Sequence, residues 1–260
     1  DWSSDVCSSD LSISWLQLKN QEIDMHPRTF FFGGKAAPSY QTAKTIIRLI
    51  CHVGEMINRD STTRDRIKVV FLPNYRVSLA EKIFPATDLS EQISTAGFEA
   101  SGTGNMKFAL NGALTIGTLD GANIEIRDEV GHENFFIFGL TAEEVAELMR
   151  SYNPRDYYLK NPLLKETIDL IYEGFFSPEE PDLFKPLMDL LLERDKFAVL
   201  ADFDDYARCH KEINELYGDR RVWTEKAVLN VARIGRFSSD RTILEYNRDI
   251  WNAEPLAIIP

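Results

Sequence analysis

Residues 99–107 read Glu-Ala-Ser-Gly-Thr-Gly-Asn-Met-Lys. Gly102 and Gly104 flank Thr103, and the residues from Asn105 onward have the composition of the first turns of a helix. Glycine lets a backbone adopt positive φ and approach a ligand closely. The N–H groups at a helix start lack intrahelical acceptors and lie at the positive end of the helix dipole. The stretch therefore predicts a loop that binds an anion such as phosphate.

Lys107 lies one turn into the predicted helix and is the only cation in the 21-residue run 95–115. We expect it to be partly desolvated there, which would favour the neutral amine that imine formation requires. A phosphate-binding loop beside a reactive lysine suggests pyridoxal 5′-phosphate. On the spacing alone, a plain turn is favoured over a phosphate site. The loop lacks both the third glycine of a dinucleotide-binding motif and the Gly-Lys-Ser/Thr end of a P-loop.

Composition narrows the class of protein. The 260 residues are 44% hydrophobic and 27% charged, as in an ordinary globular protein with a sizeable core. A net charge of −12 disfavours nucleic acid and anionic membranes as partners, because the overall field repels both. No apolar run approaches the roughly 20 residues of a membrane span. The three cysteines are few and far apart, which favours a reducing compartment, so we expect a cytoplasmic protein.

The apolar pattern predicts an α/β fold. Runs at 29–32 and 67–72 suit strands buried on both faces, and apolar residues at helical spacing between them complete a βαβ unit. Further strands are predicted at 89–93, 113–118 and 135–138. Thr141 and Glu144 form a capping box for the helix that follows. The expected architecture is a doubly wound, mostly parallel, Rossmann-like sheet.

From about residue 141 onward the chain is predicted to be helical. Three apolar stripes at helical spacing are expected to pack in the core. They comprise Leu183, Phe184, Leu187, Met188 and Leu191; Tyr206, His210, Ile213 and Tyr217; and Ala227, Val228, Val231 and Ile234. His210 is expected to be a packed or a surface histidine rather than a ligand. No histidine has partners at metal-binding spacing, so no metal site is predicted.

Several stretches together closely resemble the α-glucan phosphorylases, which act on glycogen, starch or maltodextrin. They are YRVSLAEK (75–82), LSEQISTAG (89–97), EASGTGNMK (99–107) and NGALTIGTLDGAN (111–123), with shorter ones at 134–139, 174–178 and 237–242. The resemblance covers about residues 22 to 252. We expect residues 1–11 to be non-native sequence and residues 12–260 to form the pyridoxal-phosphate-binding domain.

The resemblance implies a function and its residues. The domain would be the C-terminal half of a GT-B type glycosyltransferase fold, with the active site in the cleft between halves. Lys107 would carry pyridoxal 5′-phosphate as an imine, and the cofactor's 5′-phosphate would act as proton shuttle while inorganic phosphate cleaves α-1,4-glucan to glucose 1-phosphate. Thr103, Gly104 and Tyr75 would also bind the cofactor. The glucosyl hydroxyls would be held by Glu99, Ser101 and Gly102.

The alternatives are a nucleotide-sugar glycosyltransferase half and a non-catalytic truncated domain. Nucleotide-sugar enzymes of similar architecture tend to have two glutamates separated by seven residues here. This chain has Glu99 followed by Lys107, which favours a phosphorylase. The basic Lys-Arg-x-His-Glu-Tyr-Lys-Arg segment of the family and its N-terminal domain do not occur in the sequence. We therefore expect this chain to be inactive alone and to need the N-terminal half as partner, in a family that is usually homodimeric.

Overall fold

The computed structural model describes residues 15–16, 18–20, 23–254 and 256. The prediction that residues 1–11 are non-native lies outside these residues. Five strands form two sheets, and every pairing is parallel. The first sheet pairs β1 (Arg28–Gly33) with β2 (Ile67–Leu72), and the second has the order β3-β4-β5. The strands of the second sheet are β3 (Leu89–Gln92), β4 (Leu114–Gly117) and β5 (Phe135–Ile137).

The predicted βαβ unit is confirmed. Helix α1 (Gln41–Arg59) connects β1 to β2, and Phe30 lies opposite Val69 in the parallel register. One face of α1 carries the buried residues Ile46, Leu49, Ile50, Val53, Gly54 and Ile57. Gly54 allows close packing on β2, because a Cβ there would lie 2.9 Å from Val69 Cγ1. The absence of a side chain at residue 54 sets the distance between α1 and the sheet.

Three helices accompany the second sheet. Helix α2 (Val77–Ile83) continues into a 3₁₀ turn at Phe84–Ala86, where Pro85 cannot extend the α-helix, and precedes β3. Helix α3 (Gly104–Leu110) connects β3 to β4, and α4 (Asn123–Val130) connects β4 to β5 through a 3₁₀ turn at His132–Asn134. All four residues of β4 are buried, as expected for the central strand of a parallel sheet covered on both faces.

The predicted α/β fold with parallel strands is confirmed, but the sheet is divided. Between β1 and β3 lies a cavity of about 600 Å³, here called the large cavity. Its walls include residues of both strands, and Ile213, Tyr217 and Trp223 also line it. The two sheets are thus separated by apolar and aromatic side chains rather than joined by backbone hydrogen bonds.

The rest of the described chain is mostly helical, as predicted, with a turn-rich segment at 173–184. The helices are α5 (Ala142–Leu148), α6 (Pro154–Lys160), α7 (Pro162–Tyr172), α8 (Lys185–Arg194), α9 (Val199–Tyr217), α10 (Arg220–Arg233) and α11 (Ser239–Tyr246). A 3₁₀ turn at Ile234–Phe237 and a π turn at Asn247–Trp251 flank α11. The capping box is present, because Thr141 and Glu144 exchange both hydrogen bonds. None of the described helices is long and apolar enough to cross a membrane.

The apolar stripes were predicted with mixed success. Those of α8 and α9 pack in the core, and His210 is buried with Nδ1 accepting from Arg28 Nη1 at 3.0 Å. The third stripe was predicted only in part: Ile234, just after α10, is buried, but Val228 is 61% exposed and Val231 48%. Helix α10 instead buries Trp223 and Asn230. Helical spacing identifies a shared face, but it does not say which neighbour covers that face.

Asp202, near the start of α9, is a buried carboxylate that connects α9 to the end of the second sheet. Its Oδ1 accepts the backbone N–H of Leu140 at 2.9 Å. Burial raises the pKa of the Asp202 carboxyl to about 6, partly opposed by that hydrogen bond and reinforced by the charge of Asp205. A charged group is thus kept in the core by one backbone donor.

We predict that Gly54→Val destabilises the chain by about 1–3 kcal/mol, because the new side chain enters space held by Val69. Urea unfolding measures the change in the free energy of unfolding. Gly235→Val is the matched control, since nothing lies within 4 Å of a Cβ at that glycine. Equal losses from the two substitutions would contradict close packing between α1 and β2.

We predict that the stability of the wild type relative to Asp202→Asn falls as the pH rises. The pKa of Asp202 in the folded chain lies above its ordinary value of 3.8, so the stabilisation is complete below about pH 4, where the carboxyl is protonated, and is lost as the pH passes about 6. The difference should change by up to about 3 kcal/mol. Urea unfolding at several pH values measures it. Asp204→Asn, exposed on the same helix, controls for removal of one negative charge, and a flat difference for Asp202→Asn would contradict the prediction.

Candidate functional site

A small polar cavity lies where β3 ends. It has a volume of about 120 Å³, and its lining includes Glu91, Glu99, Ser101, Gly102, Asn105 and Asp120. We call it the small cavity. It brings together the three residues predicted to hold glucosyl hydroxyls. Its position at the carboxyl end of a parallel strand is where α/β sheets bind ligands.

The Glu99 loop, residues 94–102, forms one wall of the small cavity and depends on two glycines. Gly102 has a φ of +79°, which favours glycine. Gly121, in the neighbouring loop after β4, has a φ of +49°, and a Cβ there would lie 2.6 Å from the carbonyl oxygen of Ser101. The same carbonyl accepts the N–H of Ala122 at 2.8 Å. The loops after β3 and β4 are therefore in direct backbone contact.

Asp120 makes the most contacts to the Glu99 loop. Its carboxylate accepts from Ser94 Oγ at 2.7 Å, from the N–H of Gly97 at 2.8 Å and from the N–H of Glu99 at 2.9 Å. Sequence reasoning treated Asp120 only as the end of a strand. A sequence signal was present. Asp120-Gly121 follows the strand β4, and the loops after neighbouring parallel strands meet at one sheet edge, so Asp120 could be expected near the glycine-rich loop.

Two buried amides were also missed. Asn105 Nδ2 donates to Asn123 Oδ1 at 3.0 Å and to the Ser101 carbonyl at 3.3 Å. Asn123 Nδ2 in turn donates to the Thr118 carbonyl at 3.2 Å. Both side chains are only 2% exposed, so their polar atoms need these partners. They fix the start of α3 relative to the start of α4.

Lys107, Thr103 and Gly104 lie together at the start of α3 but line neither cavity. Thr103 is the N-cap residue, and its hydroxyl makes no capping hydrogen bond. The prediction that Lys107 is partly desolvated was wrong, because its side chain is exposed in the described structure. The apolar neighbours in sequence, such as Ala109, turn into the core, while Lys107 lies on the opposite side of the short helix.

Tyr75 lies apart from the residues of the small cavity. It lines the large cavity, and a Cβ on Gly33 would lie 2.9 Å from Tyr75 Cδ2, so the ring packs against the backbone at the end of β1. Phe108 of α3 lines the same cavity. Neighbouring residues of α3 thus have different surroundings: Phe108 lines the large cavity, and Lys107 is exposed to solvent.

The chain combines a parallel α/β fold, a glycine-rich loop, a lysine one turn later and a polar cavity at the strand ends. Comparison with known sequences identifies the family of proteins that has these features. A family model, carbohydrate phosphorylase, matches residues 11–253, so the chain belongs to that family. It is 58% identical to the glycogen phosphorylase of Synechocystis sp. over 246 residues, which is 94% of this chain and 29% of that protein. Human muscle glycogen phosphorylase is 56% identical over 230 residues, covering 88% of this chain and 27% of that protein.

The human brain form is 57% identical over the same length of 230 residues. The chain therefore spans less than a third of the length of these relatives. The family assignment made from the motifs is confirmed. Membership also decides between the two enzyme classes that share this architecture, and it favours a phosphorylase over a nucleotide-sugar transferase.

Proposed function

We propose that this chain is the pyridoxal-phosphate-binding part of an α-glucan phosphorylase, which cleaves α-1,4-glucan with inorganic phosphate to give glucose 1-phosphate. The observation that carries the proposal is the family match, which includes the glycine-rich loop, Lys107 and the residues of the small cavity. We place the reaction in the cytoplasm on the cysteine usage. For the complete protein we propose the homodimer usual in this family.

The start of α3 fits the cofactor's chemistry. Lys107 offers an exposed amine, Thr103 a hydroxyl free of capping, and Gly104 an N–H at the helix start. Thr103 and Gly104 are donors, as a phosphate ester requires, and the amine of Lys107 would make the covalent link to the cofactor. A Cβ at Gly104 would meet only Gln92 Nε2, at 4.0 Å, so the approach is open. Bound pyridoxal phosphate would supply a phosphate group able to exchange a proton with inorganic phosphate.

The small cavity has the opposite character. Three of its lining residues are carboxylates, Glu91, Glu99 and Asp120, and its other polar groups are amides and hydroxyls. Such a lining suits an uncharged ligand with many hydroxyls and disfavours an anion. A glucosyl unit would be held there, with Glu99 accepting from its hydroxyls. The carboxylates would also stabilise positive charge that develops at the sugar carbon when the glycosidic bond breaks.

The large cavity supports the need for the rest of a phosphorylase. Within the described residues β1 pairs only with β2 and β3 only with β4, and the cavity lies between them. One further parallel strand, here called X, could lie between β1 and β3. It would join the two sheets into one with the order β2-β1-X-β3-β4-β5. If X precedes β1 in the chain, this is a doubly wound sheet with right-handed crossovers running outward on both sides. We infer that the part of a phosphorylase outside the matched region supplies that strand.

We predict that pyridoxal phosphate followed by borohydride labels Lys107 in preference to other lysines, because Lys107 lies one turn after Thr103 and Gly104, the proposed phosphate donors. Peptide mass mapping measures the adduct at each lysine. Lys107→Ala should lose the main adduct. Lys82→Ala, which removes an exposed lysine of α2, should leave it unchanged. Even labelling over exposed lysines would contradict the cofactor assignment.

We predict that the chain alone releases no glucose 1-phosphate from glucan and phosphate, and that activity appears when it is co-expressed with the preceding part of the Synechocystis relative. Leu89→Arg, which puts a charge into the large cavity, should abolish both co-purification and activity. Leu159→Arg, 66% exposed on α6, is the control and should change neither. Activity of the chain alone, or indifference to Leu89→Arg, would contradict the assembly.

A further inference from the structure

We propose that Asp120 is a positioning residue for Glu99: its buried carboxylate holds the Glu99 loop in the conformation that presents the Glu99 side chain to the small cavity. The inference rests on the proposed function only in giving Glu99 the role of binding the glucosyl unit. That Asp120 fixes the loop is argued from contacts alone.

The first argument is where the contacts fall. Asp120 accepts the N–H of Glu99 itself, at 2.9 Å, and the N–H of Gly97 two residues before it, at 2.8 Å. The third donor, Ser94 Oγ, lies where the loop leaves β3. One carboxylate therefore joins the beginning of the loop to its functional residue. Gly97 has a φ of +91°, so the backbone turns sharply between these donors.

The second argument is that Glu99 has little else to fix it. The residue is exposed, and its own carboxylate meets the N–H of Ser101 at 3.5 Å, a long contact. A long, solvent-exposed side chain keeps its rotamer freedom, so the position of its backbone decides which region the carboxylate can reach. The two backbone hydrogen bonds to Asp120, at residues 97 and 99, fix that position beside the small cavity.

The third argument is charge. Asp120 is 4% exposed. Within the described residues, its carboxylate accepts hydrogen bonds from one hydroxyl and two backbone N–H groups, all of them neutral. A carboxylate presents acceptors only, so it can receive all three donors at once. An asparagine of the same shape would turn an NH₂ group toward one of them and leave a buried donor unsatisfied. The site therefore requires the carboxylate and not merely its volume.

The residues after Asp120 hold the far end of the loop. The N–H of Ala122 donates to the Ser101 carbonyl at 2.8 Å, and Gly121 permits that approach. Residues 120–122 thus bind the loop on both sides of Glu99. Loss of the Asp120 contacts alone would free residues 97–99 while Ser101 stays attached.

Hydrogen exchange on the chain itself tests the loop contact. In Asp120→Asn we expect the amides of Gly97 and Glu99 to exchange roughly tenfold faster, while those of α1 and α9 keep their wild-type rates. Asp120→Glu, which keeps the charge, should recover part of the protection. Asp202→Asn neutralises another buried carboxylate that accepts a backbone N–H and should leave residues 97–99 unchanged. Unchanged exchange at residues 97 and 99 in Asp120→Asn would overturn the proposal. If Asp120→Asn does not fold, Asp120→Glu is the test, because its longer side chain displaces the carboxylate: exchange at residues 97 and 99 between wild-type and unprotected rates supports the proposal, and wild-type rates there overturn it.

A double-mutant cycle in the co-expressed enzyme tests whether Asp120 acts through Glu99. We expect Asp120→Asn to lower kcat/KM for glucan, mainly through KM, and to add little in an enzyme that already carries Glu99→Gln. Independent, additive losses would mean a general structural role and would overturn the proposal. If Glu99→Gln alone leaves kcat/KM unchanged, the glucosyl role of Glu99 fails. The exchange result then still decides whether Asp120 holds the loop.

Discussion

All five described strands run parallel, and this constraint determines where the site lies. A parallel sheet is entered from the same end each time, so the loops after successive strands gather at one edge. The loop after β3 carries Glu99 and the loop after β4 carries Asp120, and neighbouring parallel strands bring the two into contact. The hydroxyl of Thr118 donates to the Ser94 carbonyl at 2.5 Å and joins the loops directly where they leave the sheet. Residues about 20 positions apart in sequence thereby share one wall of a cavity.

The same arrangement separates charge across a short distance along the chain. Carboxylates line the small cavity, whereas α3, the helix that follows the Glu99 loop, has Lys107 on its exposed side and backbone N–H groups at its start. Under the proposed function, the uncharged sugar and the phosphate groups need such opposite surroundings. Asn105 lies between the two regions, buried and bonded to Asn123, so the donors at the start of α3 are fixed relative to the sugar side. A shift of α3 would therefore disturb both regions together.

Much of this could be predicted from sequence, because the signals are local. The strand at 67–72, the capping box of Thr141 and the helix start after Gly104 follow from apolar period, side-chain chemistry and glycine freedom. The contacts of Asp120 could not, since they depend on which strand lies beside β3. Nor could the exposure of Val228, because an apolar stripe does not reveal what lies next to it. The exposure of Lys107 was missed for a similar reason: apolar neighbours in sequence were taken for neighbours in space.

The exposed Lys107 and the divided sheet share an explanation under the proposed assembly. Phe108, next to Lys107, lines the large cavity, and its ring packs edge-on against Phe84 with centroids 4.5 Å apart. A strand entering between β1 and β3 would therefore contact α3 directly, through the residue adjacent to Lys107, the proposed cofactor lysine. Tyr75, proposed to lie against the cofactor ring, lines the same cavity. Under this proposal, the strand that joins the two sheets would also cover Phe108 and Tyr75. The sheet would then be completed and the cofactor site closed in the same step.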